Sequence, residues 1–171
     1  TLDRSSAASD VYKRQGLKRA FELRIRQHQK PAPDNKPEKD SQMNKPTDRT
    51  LEAMTAVHVD PSELLEEHVH AVEGVVQQGH LSVTVLMVTD EMVMLKIRRG
   101  KGLIAPSHVH EEHESVATLI SGRMLNRIGD EEFVSEAGAV WRHPPGVVHS
   151  SEALEDCLQI EIKTPAIKTW T

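Results

Sequence analysis

Residues 102–122 read GLIAPSHVHEEHESVATLISG. Within this stretch His108, His110 and His113 and the acids Glu111, Glu112 and Glu114 crowd into seven residues beside apolar, β-branched sequence. Imidazole nitrogen combined with carboxylate suits divalent transition metals, so the stretch reads as part of a metal centre. On an extended strand His108 and His110 project to one face, roughly 6.5–7 Å apart along the backbone, and can converge on one ion. Glu114 shares that parity if the chain stays extended. His113 has the opposite parity and is expected to join Glu111 and Glu112 in a solvated lip, with proton shuttling as its alternative role. A fourth ligand has to come from a neighbouring strand, and His149, just after Pro144-Pro145-Gly146, is the best placed candidate.

Outward from this stretch the hydrophobic period is two. Leu81, Val83, Val85 and Met87 share one face of a strand over 80–87, and Val93, Leu95 and Ile97 share one face of a strand over 91–98. Turn signals recur at Arg99-Gly100-Lys101-Gly102, Ser121-Gly122, Gly129-Asp130, Glu136-Ala137-Gly138 and Pro144-Pro145-Gly146. In the last strand Leu158, Ile160 and Ile162 alternate with Gln159, Glu161 and Lys163. Short strands with turn signals every 8–12 residues and no helices between them indicate an all-β antiparallel sandwich or barrel.

Towards the N-terminus the pattern changes. Asp60-Pro61-Ser62-Glu63 has the form of a helix start, and Leu64, Leu65, His68, Val69 and Val72 then make one apolar stripe ending at Gly74. A helix is expected over 61–73, within an N-terminal helical segment spanning 51–74. There His68 and His70 would lie ~200° apart around the axis, unable to grip one ion together, so their expected role is structural or at the surface. Residues 16–50 are basic and, from Pro31, rich in proline, and are expected to be disordered. A basic amphipathic helix over 16–30 is the alternative for their first part. Residues 1–15 resemble translated sequencing-adapter read-through, a non-native leader, and Met43 is a possible true start of the protein.

The charge is divided unevenly. Residues 1–50 hold 12 Lys and Arg against 7 Asp and Glu, a net of +5; residues 51–171 hold 9 against 19, a net of −10. An acidic folded part whose aromatics are Phe133, Trp141 and Trp170 lacks the basic footprint and stacking platforms of a nucleic-acid binder. The single cysteine, Cys157, excludes an internal disulfide and any multi-cysteine zinc site, and is expected to be a buried apolar thiol. No apolar run reaches the ~18 residues of a membrane span. The expectation is a cytoplasmic protein without nucleic-acid or membrane partners.

Two patterns make a family resemblance specific. Gly102, five residues, His108-Val109-His110, three residues and Glu114 resemble the first motif of the cupin superfamily, G(X)5HXH(X)3,4E(X)6G, with Gly122 one residue late. Gly138, Pro144, Gly146 and His149 match the second motif, G(X)5PXG(X)2H, whose final asparagine is replaced by Ala153. The resemblance covers residues 75–165. It implies a small single-domain cupin, a jelly-roll or double-stranded β-helix barrel occupying 75–171. It also implies one divalent metal ion, Fe, Mn, Zn, Ni or Cu, held by His108, His110, Glu114 and His149. Counting forward from His110 gives Glu114 as the acid; counting back from Gly122 puts Ser115 in that place and leaves three histidines.

Three neutral imidazoles and a carboxylate would leave the ion open positions for a bidentate oxygen ligand. The expected function is a metal-dependent enzyme acting on a small oxygenated metabolite, as a dioxygenase or an isomerase or lyase. The alternative is a non-catalytic binding module or sensor. His113 and His143 are the candidate catalytic residues beside the metal, and a homodimer through sheet packing is the expected assembly.

Overall fold

A computed structural model describes residues 49–171. The expectations for residues 1–48 lie outside the described residues. The strands are β1 (Glu66–His68), β2 (Ala71–Val72), β3 (Val75–Val76), β4 (Leu81–Val88), β5 (Val93–Arg99) and β6 (Ile104–His108). They continue with β7 (Glu114–Ser121), β8 (Arg123–Ile128), β9 (Glu131–Glu136), β10 (Val140–His143), β11 (His149–Ala153) and β12 (Cys157–Thr164). A six-stranded sheet in the order β1-β4-β5-β12-β7-β10 faces a four-stranded sheet in the order β6-β11-β8-β9, and β2 and β3 form a small hairpin. Every ladder is antiparallel. This is the expected all-β jelly-roll barrel, and each of the five turn signals separates consecutive strands or lies between β10 and β11.

The core joins both sheets. Val83, Leu95, Ala117 and Leu119 from the larger sheet are buried in one cluster with Met124 and Ala153 from the smaller. The β4 pattern does not run unbroken, because a bulge between Val85 and Met87 resets the register against β5. Val88, rather than Met87, is then the residue buried at that end. Cys157 is buried as expected, its Sγ 3.2 Å from the carbonyls of both Arg123 and Glu155, either of which can accept its one S–H. Gly122 has φ +90° and packs so tightly that a Cβ would collide with the Asp156 carbonyl and with Cys157. Only glycine fits both demands.

The helix expected over 61–73 does not form; among the described residues there is no helix. Asp60 does act as a local cap, accepting from the Ser62 backbone N–H (2.9 Å), but it closes a single turn, with Glu63 N–H on the Asp60 carbonyl (3.0 Å). The chain then extends as β1 along β4, pairing Glu66 with Thr84 and His68 with Ser82. Pairing with a free sheet edge satisfies the backbone there, and this overrides a weak local helix signal. The stripe splits accordingly: Val69 is 1% exposed and Leu65 is 87% exposed. His68 and His70 are at the surface.

Candidate metal centre

Two strand ends and the loop that follows β6 bring the site together. His108 closes β6 and pairs directly with His149, the first residue of β11. His110 follows two residues after His108, and the side-chain ligand atoms of His108, His110 and His149 all lie within 4.8 Å of one another. The ring centroids are 4.4 Å apart for His108 and His149, 4.9 Å for His110 and His149 and 5.0 Å for His108 and His110.

Each ring is oriented through its Nδ1. His108 Nδ1–H donates to the Pro106 carbonyl (2.8 Å) and His149 Nδ1–H to the Val147 carbonyl (3.0 Å). His110 Nδ1–H donates to Glu73 Oε1 (3.1 Å). A carbonyl or carboxylate oxygen can only accept here, so each Nδ1 carries the proton and each Nε2 keeps its lone pair. Burial disfavours the imidazolium of all three, holding their pKa values below the usual range. Neutral imidazoles with the distal nitrogen free and the proximal one anchored are the donor set a divalent transition metal requires. The residues present therefore fit the ion that the fold implies.

Glu114 is not among them. Residues 111–112 form a bend, so the parity counted forward from His110 breaks before β7 begins. In β7 the inward residues are Ser115, Ala117 and Leu119, and Glu114 falls on the outer face with Val116 and Ile120. Its Oε1 meets Arg142 Nη1 at 3.3 Å, with both side chains substantially exposed. The count back from Gly122 identifies the inward residue: Ser115, fully buried, has its Oγ 3.0 Å from His143 Nδ1.

The same break reverses His113. Instead of forming a lip with the exposed Glu111 and Glu112, it is 1% exposed, with its ring centroid 4.1 Å from that of His110. Neither of its ring nitrogens has a hydrogen-bond partner among the described residues, and burial lowers its pKa to about 3. Glu73, His110 and His113 thus form a second group able to hold an ion. Glu73 is already engaged, however, because Arg49 Nη2 donates to both its oxygens (2.8 Å each). His143 sits beside the first group, 4.3 Å from His149 between centroids, and burial brings its pKa to about 3.

Glu73 was not foreseen as a site residue. It occupies the tight β2–β3 turn with φ 49°, a left-handed conformation unusual for a residue with a side chain, and there its carboxylate bridges Arg49 and His110. Its signal in the sequence, an acid directly before Gly74, resembles any turn.

The inner face of β12 was also unforeseen as part of the site. Gln159, Glu161 and Lys163 are all buried, at 0%, 5% and 5% exposure. Gln159 donates through Nε2 to Glu161 Oε2 (2.8 Å), Lys163 Nζ lies 3.8 Å from Glu161 Oε1, and Lys163 donates to Thr169 Oγ1 (2.7 Å). Burial alone would raise the Glu161 pKa, but Lys163, His143 and Arg99 outweigh it and hold the carboxyl below its usual value. A cavity of about 50 Å³ lies between this layer and His108.

No protein-family model matches the chain, and no curated protein matches it. Solved structures do. An RmlC-like cupin from Shewanella frigidimarina aligns with a TM-score of 0.54 at 21% identity, covering 66% of this chain and 93% of that one. A predicted oxalate decarboxylase from Thermotoga maritima aligns with a TM-score of 0.55 at 17% identity, covering 65% and 99%. The chain has the cupin fold. At such identities the likeness speaks for the fold, and the three-histidine arrangement of this chain has to be argued from its own residues.

Proposed function

We propose that this cupin binds one divalent transition metal through His108, His110 and His149 and uses it as a metal-dependent enzyme on a small oxygenated metabolite. The observation that carries the reading is the set of three anchored Nδ1 groups, which leave a free Nε2 lone pair on each of three rings whose ligand atoms, brought from two strands and a loop, lie within 4.8 Å of one another. The Glu73, His113 pair is the weaker site, because the Glu73 oxygens already accept from Arg49 and His110.

The ion, when bound, supplies Lewis-acid polarisation of a coordinated oxygen or, for a redox metal, a place for dioxygen. The protein's residues do the rest. His143, neutral and linked to Ser115, is positioned beside His149 to carry a proton. Glu73 fixes the ring of His110. The small cavity favours isomerase or lyase chemistry on a compact acid over oxygenation of a large substrate. A non-catalytic sensor is the second reading, and the same small cavity suits it if no turnover follows binding. The cytoplasmic location belongs to this proposal, and the single free, buried Cys157 agrees with a reducing compartment; no helix among the described residues is long and apolar enough to cross a membrane.

Elemental analysis after metal loading tests the centre. Wild type should hold one metal per chain, and His149→Ala or His108→Ala should hold almost none while keeping the β-sheet circular dichroism. Retention of a full equivalent in the double variant would remove the site. Glu73→Ala should weaken metal affinity by about 10–100-fold without abolishing it, the effect expected when the carboxylate behind a ligating histidine is lost.

We further propose that the chain is a homodimer, with the outer face of the larger sheet as the contact. Val116, Ile120, Val140 and Ile162 lie exposed together on it.

A further inference from the structure

The cavity carries a charge that its own walls do not balance. Arg99 at the end of β5 and Lys163 on β12 both line it, with Glu161 as their one carboxylate there and His108 on the opposite side. Arg99 donates from Nε to Gln159 Oε1 (3.2 Å) and from Nη1 to Ser151 Oγ (3.3 Å), both neutral partners. It makes no salt bridge among the described residues, and its Nη2 makes no hydrogen bond there. Lys163 is committed elsewhere, to Thr169, to Glu161 and to the face of Trp170, 5.6 Å from the ring centroid.

Two cations against one anion leave a surplus of +1, and the three metal-binding imidazoles, being neutral, remove none of it. The inward position at the start of β7 carries Ser115, which adds no negative charge. A half-buried guanidinium that faces a cavity without a carboxylate of its own is unfavourable unless something completes it, and its fork is matched to a carboxylate. At about 10–15 Å³ for each water-sized group, 50 Å³ admits about four such groups. That is room for a carboxylate and the carbon that carries it, with the rest of a small organic acid directed at His108, and too little for a sugar or nucleotide.

We propose that Arg99, supported by Lys163, is a carboxylate seat, and that the ligand of the site is a small organic acid anion held there at one end and directed at its other end towards His108. This rests on the metal reading for the far end of the ligand, while the seat itself depends on Arg99 alone.

Calorimetric titration of malonate into the metal-loaded full chain decides it, with malonamide as the uncharged match. Malonate should bind once per chain and malonamide should not. Arg99→Gln should weaken malonate by about tenfold or more with metal content unchanged, because it removes the surplus charge and leaves Glu161 paired with Lys163. Equal binding of malonate by Arg99→Gln, or of malonamide by wild type, overturns the seat. If Arg99→Gln does not fold, Arg99→Met, which keeps the buried stem and removes only the charged fork, is read by the same criterion. Should wild type take up no metal, the metal reading falls by itself and the metal-free chain decides the seat: malonate binding lost in Arg99→Gln keeps it, and no malonate binding overturns it.

Discussion

The two faces of β12, with the Ser115 end of β7 beside it, reverse the usual distribution of side chains. Inside the barrel stand Ser115, Gln159, Glu161 and Lys163, all buried. Outside stand Val116, Ile120 and Ile162, all exposed. A half-buried strand ordinarily turns its apolar side inward, so this interior is a chamber for something polar and the outer surface is an apolar patch of the kind that marks a partner. The core proper is displaced to Val83, Leu95, Leu119, Met124 and their neighbours, away from the chamber.

The largest effect should come from emptying the inner face. Glu161→Leu takes the carboxylate from Lys163 and from the Gln159 amide, both buried. Removing one partner of a buried ion pair typically costs about 3–5 kcal/mol, so the denaturant midpoint should fall sharply. Glu161→Leu with Lys163→Met should recover much of the loss, since the Lys163 ammonium is then no longer stranded. If the single variant unfolds within about 1 kcal/mol of wild type, the inner layer is not the closed network its distances describe.

The outer face should answer differently. Ile162 lies between Met94 and Val116 across the ladders, so Ile162→Lys places a charge in the middle of the patch. In light scattering the wild-type chain should show twice its 19.1 kDa mass, and Ile162→Lys should shift it to the single-chain value. The stability of the folded monomer should change by no more than about 0.5 kcal/mol, as for most surface substitutions. A wild-type mass of one chain would end the dimer proposal.

How much of this was legible depended on whether local sequence controls the feature. Turns were legible, because Gly-containing turn signals impose backbone conformations that few other residues adopt, and so were the strands between them. His149 was legible because a turn of two prolines and a glycine delivers it beside β6. Parity, by contrast, survives only while the chain stays extended. The bend at residues 111–112 exchanged His113 with Glu114, and no propensity of Glu111 or Glu112 announces a bend. The alternation in β12 was equally plain, but alternation identifies two faces without saying which is inside. That choice is made by neighbouring strands, which supply His143, Arg99 and Ser115 as partners for Glu161. The helix signal at Asp60 failed for a related reason: one turn of it was satisfied, and the free edge of β4 claimed the residues that followed.

The smallest effect expected is at the residue where the two faces were exchanged. Glu114 meets Arg142 at 3.3 Å on the outer surface, with side-chain exposures of 40% and 69%. An exposed pair of this kind contributes about 0–1 kcal/mol, because solvent screens the attraction and two long side chains must be ordered. Glu114→Ala should therefore lower stability by less than about 1 kcal/mol and leave one metal per chain. If metal content instead falls with Glu114→Ala as it does with His149→Ala, the outward placement of Glu114 is wrong and the count forward from His110 holds through the bend. The site would then be a three-histidine, one-carboxylate centre with a smaller positive surplus, and the charge argument for the Arg99 seat would weaken with it.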